Sequence, residues 1–148
     1  MIKHPYLNEL VTEVYKDDIW PYNQEDYPDC EKYGFDERET FELDTMLVMW
    51  LYERLRYFQD VASQTVDFTY HKVDIHGEQL TELECIDRMC RLCKEYMYEP
   101  ETKFDYDENR DGFYVTNMDE LNAAEARKPE IARELCYILG EVFVALWW

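Results

Sequence analysis

The seven consecutive residues Met46 to Tyr52 would be apolar on every side of a helix, so at least two other elements must cover them. Asp36, followed three residues later by Glu39, marks a helix start, and Leu43, Leu47, Leu51, Leu55 and Phe58 then follow along one face to about Asp60. The spacing predicts a central helix sandwiched between neighbours, and the rest of the chain must supply them. Leu7, Leu10, Val11 and Val14 recur at helical spacing over about residues 5 to 15, with Pro5 suited to a first turn. From Lys16 to about Gly34 the periodicity disappears, and an ordered loop rich in Tyr, Trp and Pro is expected.

Val66, Phe68 and Tyr70 alternate with polar residues, and Val73 and Ile75 continue on the opposite parity before His76-Gly77. That pattern predicts strands with a bend near His71. Thr81 and Glu84 form a capping-box pattern for a helix to about Tyr98, with Cys85, Ile86, Met89, Cys90, Cys93 and Met97 at helical intervals. After Pro100, two short strands over Lys103–Asp107 and Phe113–Thr116 flank a turn through Glu108, Asn109, Arg110, Asp111 and Gly112. Asn117 with Glu120 suggests a cap for a short helix to about Arg127, and Pro129 the start of a new helix reaching the C-terminus, since a residue before proline disfavours helical geometry. Ile131, Leu135, Ile138, Leu139, Val142 and Leu146 would line its core face. The expectation is one α+β domain over residues 1–148, mainly helical, with a few short antiparallel strands or hairpins.

The 148 residues are 47% hydrophobic and 16% aromatic, ample material for a core. Neither a signal pattern nor an uncharged apolar run of membrane-spanning length is found, so the chain reads as soluble and cytoplasmic, without a membrane partner. An odd cysteine count, Cys30, Cys85, Cys90, Cys93 and Cys136, favours free thiols in a reducing compartment.

Three kinds of chemistry have candidate residues in the chain. Cys90-x-x-Cys93 with His71 and His76 has the ligand types for zinc, but both thiols sit in a patterned helix where they fill a core. Asp107-x-Asn109-x-Asp111-Gly112 matches the first half of a calcium loop, while the twelfth position, where a bidentate Glu belongs, is Met118, so a hairpin turn fits better. His4, His71 and His76 are available as bases, yet no nucleophile elbow appears, and the four glycines form no phosphate-cradling loop. The reading is therefore not an enzyme, with neither cofactor nor metal.

The distribution of charge is more informative. The net charge is -19, from 34 acids against 15 bases, which argues against direct nucleic-acid binding. Residues 16 to 44 hold eleven acids against three bases, and residues 99 to 120 hold eight against two. Both stretches are interrupted by aromatics, which argues for carboxylates fixed on folded loops. Carboxylates spaced along a surface can imitate duplex phosphates, and self-repulsion of this size favours a cationic partner. The candidate partner-binding residues are Asp17, Asp18, Trp20, Tyr22, Glu25, Asp26, Tyr27, Asp29 and Glu31 in the first stretch, and Asp105, Asp107, Glu108 and Asp111 in the second.

Gly34-Phe35-Asp36, Arg38, Thr40, Leu43-Asp44, Leu47, Trp50-Leu51, Arg54-Leu55 and Phe58 form a pattern that resembles small acidic proteins of bacteriophages and mobile elements. Val66 to Lys72, with Gly77-Glu78, Leu80-Thr81 and Cys85-Ile86-Asp87, is similar to another stretch of such proteins. The resemblance carries no active site. It implies a defence inhibitor of anti-CRISPR or anti-restriction type, whose partner is a basic nucleic-acid-binding protein such as a CRISPR effector or restriction nuclease. The alternative is a phage structural or assembly protein that forms a homodimer or larger oligomer through the apolar run from Leu135 to Trp148.

Overall fold

The computed structural model describes residues 5–10, 40 and 42–146. Their order is α1 (Leu7–Leu10), α2 (Leu43–Ala62), β1 (Lys72–Ile75), β2 (Glu78–Thr81), α3 (Glu82–Met97), β3 (Phe104–Asp107), β4 (Gly112–Val115) and α4 (Met118–Val142), closed by a 3-10 turn over Phe143–Ala145. The strands form two separate antiparallel hairpins, β1–β2 and β3–β4, so the fold is α+β, as the periodicities imply. Helix α2 begins at Leu43, with Glu42 at its N-cap position, later than the expected start at Asp36; Asp36 itself, the continuation of α1 to residue 15 and the loop over residues 16 to 34 lie outside the described residues.

Helix α3 is the centre of the core, flanked by α2 on one side and α4 on the other. Ile86, Met89, Cys85 and Cys93 are fully buried on α3, Tyr52 on α2, and Ile138 and Val142 on α4. Thr81 caps α3 as its sequence implies: its hydroxyl accepts from the Glu84 N–H at 3.2 Å, and the Glu84 carboxylate accepts from the Thr81 N–H at 2.8 Å. Helices α1 and α3 both lie against α2, but Leu47 and Trp50 of its apolar run stay exposed, so α3 and not α2 is the central helix.

The covered face of α2 differs from the expected one. Met46, Val48, Met49, Tyr52 and Leu55 are buried, whereas Leu43 and Leu47 are 54% and 57% exposed. A row at every fourth residue rotates by about 40° per step, so a line drawn from Leu43 to Leu55 leaves the core at its N-terminal end.

Two further expectations are corrected. Residues 66 to 70 are turn and bend, not strand. There the Val66 N–H still donates to Ala62 at 2.9 Å, and the Asp67 carboxylate accepts the Thr69 N–H at 2.9 Å, which satisfies the backbone locally. Phe68 is buried from this turn, with its ring 5.0 Å from Phe58. The break at Pro129 is likewise absent, because α4 runs through it as one helix of 25 residues. Ile131, Leu135, Ile138 and Val142 dock this helix by a buried stripe, which outweighs the single backbone bond that proline removes. Helix α4 ends at Val142, short of the C-terminus.

The β1–β2 hairpin closes through His76 at φ 53° and Gly77 at φ 84°, the left-handed pair that a two-residue turn requires. The His76 ring stacks on Tyr137 at 4.3 Å, and its Nε2 lies 2.7 Å from Glu134, which ties the hairpin to α4.

Candidate functional site

The second acidic stretch folds into the β3–β4 hairpin. Register pairs Phe104 with Val115, Asp105 with Tyr114, Tyr106 with Phe113 and Asp107 with Gly112. Because successive side chains alternate across a strand, Phe104, Tyr106, Phe113 and Val115 share one face, and Asp105, Asp107 and Tyr114 share the other. The first face is apolar and the second acidic.

Neither face is buried. Phe104 is 64% exposed and Phe113 77%, with Tyr106 and Tyr114 close to half exposed. The Tyr106 and Phe113 rings meet edge to face at 5.2 Å, which holds them as a pair on the surface. A two-stranded ribbon with both faces in water has little stability of its own, so it must be held at its ends.

Asn117 holds the base. Its Oδ1 accepts the Lys103 N–H at 2.9 Å, and its Nδ2 donates to the Glu101 carbonyl at 2.9 Å and to Glu120 at 3.1 Å. The Thr116 N–H adds a bond to the Lys103 carbonyl at 2.8 Å. Asn117 thus precedes α4 as expected, but its side chain is committed to the hairpin and makes no cap bond to the helix.

The tip is an ordered turn. The Asp107 carboxylate accepts the Asn109 N–H at 2.9 Å and pairs with Arg110 at 3.5 Å. The Tyr106 hydroxyl donates to Asp111, and that bond pushes the phenol pKa up. Asp107 and Asp111 therefore serve the turn, in agreement with the hairpin reading of the half calcium motif. Among the described residues no three His, Cys, Asp or Glu side chains converge to hold a metal ion. Cys90 and Cys93 are buried in the core, where desolvation pushes both thiols up to about 12.

Of the candidate residues named from sequence, the structure brings Asp105, Asp107, Glu108 and Asp111 together on one hairpin, with Arg110 as the sole base. Asp17, Asp18, Trp20, Tyr22, Glu25, Asp26, Tyr27, Asp29 and Glu31 lie outside the described residues. The aromatic face is the part that reasoning from charge overlooked. Its signal was present in the alternation of Phe104, Tyr106, Phe113 and Val115 across the turn. No helix among the described residues is long and apolar enough to cross a membrane. Comparison with family models, curated proteins and solved structures finds no match to this chain.

Proposed function

We propose that the protein is an acidic binding protein that occupies a basic, nucleic-acid-binding surface of another protein, with the β3–β4 hairpin as one contact. The observation that carries this reading is the two-faced hairpin, which has exposed aromatics on one side and carboxylates on the other. Burying Phe104 and Phe113 would supply about 1.5–3 kcal/mol each. The carboxylates would add orientation and a faster encounter with a cationic surface. The net charge of -19 steers in the same direction. Within this reading the target is a bacterial defence nuclease, a CRISPR effector or restriction enzyme, and the protein inhibits it by standing in for DNA.

The test is capture from bacterial lysate at about 100 mM and about 500 mM salt, with bound proteins identified by mass spectrometry. Salt-sensitive recovery of a basic nuclease is expected. F104S/F113S should lose it at both salts, and D105N/E108Q should weaken it mainly at low salt. Capture of the same proteins by all three forms would remove the hairpin from the interface.

A second reading has one observation in its favour. Phe143 and Val144, just past α4, are 68% and 86% exposed, as expected of a surface that a second copy covers. Identical monomeric elution of wild type and F143S/V144S would end that reading.

A further inference from the structure

The backbone of the β3–β4 hairpin leaves one edge open. The Thr116 N–H donates to the Lys103 carbonyl at 2.8 Å, so in this register Lys103 with Thr116, Asp105 with Tyr114 and Asp107 with Gly112 are the hydrogen-bonded pairs. The alternate residues, Phe104 and Tyr106 on β3 and Phe113 and Val115 on β4, therefore turn their N–H and C=O groups outward. On β3 this edge is occupied, because the Asp105 carboxylate accepts the Tyr106 N–H at 2.8 Å. On β4 the outward groups of Phe113 and Val115 have no hydrogen-bond partner among the described residues.

Charge separates the two edges as well. Strand β3 carries Asp105 and Asp107, whereas the run from Gly112 to Met118 is uncharged, which makes β4 the edge least repelled by another copy of a chain with net charge -19. The strand also fits itself. About a two-fold axis at Tyr114, an antiparallel second copy sets Phe113 against Val115 of that copy, and Val115 against its Phe113. All are residues with outward groups, so each pair exchanges N–H···O=C bonds in both directions. Tyr114 then lies opposite Tyr114 of the second copy as a cross-strand aromatic pair. The product is one sheet in the order β3–β4–β4–β3, which turns two marginal ribbons into a sheet with a continuous face of Phe104, Tyr106, Phe113 and Val115 from both copies. The Asp105 side chains of the two copies would stand three strand spacings, about 14 Å, apart, beyond the screening length of about 8 Å at physiological salt.

We propose that β4 is a self-association edge, which pairs antiparallel with β4 of a second copy to form a weak homodimer. The pairing is weak because its seam is a strand of four residues and because the net charges of the two copies oppose it. It uses the edge of the hairpin, whereas the proposed partner contact uses the side-chain faces, so its failure would leave the proposed function standing. It is also separate from the exposed Phe143 and Val144.

The experiment is sedimentation equilibrium of the full chain. A monomer–dimer equilibrium with a Kd between about 10 µM and about 1 mM is expected at about 500 mM sodium chloride, weakening at least roughly threefold at about 50 mM. Val115→Pro removes an outward N–H and no bond within the hairpin, so V115P should weaken the dimer by roughly tenfold or more. F104P, the same change on the other edge, and F143S/V144S should leave it intact. A second measurement alters no backbone group. C136S/Y114C should form an intermolecular disulfide under mild oxidation at least roughly tenfold faster than C136S/F104C, since residues opposed in a non-hydrogen-bonded pair lie about 4.5 Å apart. A monomer at about 1 mM in both salts, a dimer that folded V115P retains, or equal cross-linking of the two cysteine variants would overturn the proposal.

Discussion

Two tyrosines of the core each place a hydroxyl on a carboxylate from a distant segment. Tyr52 donates to Glu9 across 43 residues, and Tyr96 to Asp44 across 52. The Tyr96 hydrogen bond is the main reason that the Asp44 carboxyl lies below its ordinary range, while burial first and that bond second push Tyr96 up to about 12. A carboxyl depressed in the folded state stabilises above its unfolded pKa, near 3.9, and loses that contribution as pH falls through the lower folded value. Tyr96→Phe should therefore cost about 0.5–1 kcal/mol at pH 6, modest because Asp44 is exposed. The gap to wild type should narrow below about pH 3 in urea titrations, and a gap independent of pH would show that Asp44 is not the partner that matters. Neither pairing was legible in the sequence, since the first exists only once α1 has docked on α2 and the second only once α2 has docked on α3.

At the scale of elements, agreement follows how local the signal is. The Thr81–Glu84 cap and the His76-Gly77 turn are written in adjacent residues and form as read. Thr81→Ala should lower the stability of the whole protein by about 1 kcal/mol in urea unfolding, as removal of a cap does. Pro129 is the opposite case, a local breaker overruled by a buried stripe on α4. Pro129→Ala restores a donor for the carbonyl four residues earlier and should stabilise by about 1–3 kcal/mol, seen as a higher Tm. A lower Tm would mean that the proline ring packs productively. Val66 to Tyr70 failed as a strand for a related reason, because alternation alone does not provide a partner strand, and Asp67 offers the backbone a turn instead.

For the whole molecule, the described ion pairs lie largely on exposed or half-exposed side chains, and 34 acids outnumber 15 bases. Self-repulsion therefore opposes folding and should be relieved by screening. Raising sodium chloride from about 50 mM to about 500 mM should raise Tm by roughly 2–8 °C. A fall in Tm would show that paired charges outweigh the repulsion. Charge and aromatic content pointed to Asp105, Asp107, Glu108 and Asp111, but not to what lies beside them. By itself the sequence determined the α+β class, the capped helix α3, both hairpin turns and the burial of Cys90 and Cys93, because periodicity, capping and turn chemistry act between near neighbours. Only the tertiary structure decided which face of α2 is buried and that α4 passes unbroken through Pro129. Those outcomes depend on which surfaces meet, and the free energy of burying apolar area is settled between elements rather than along the chain.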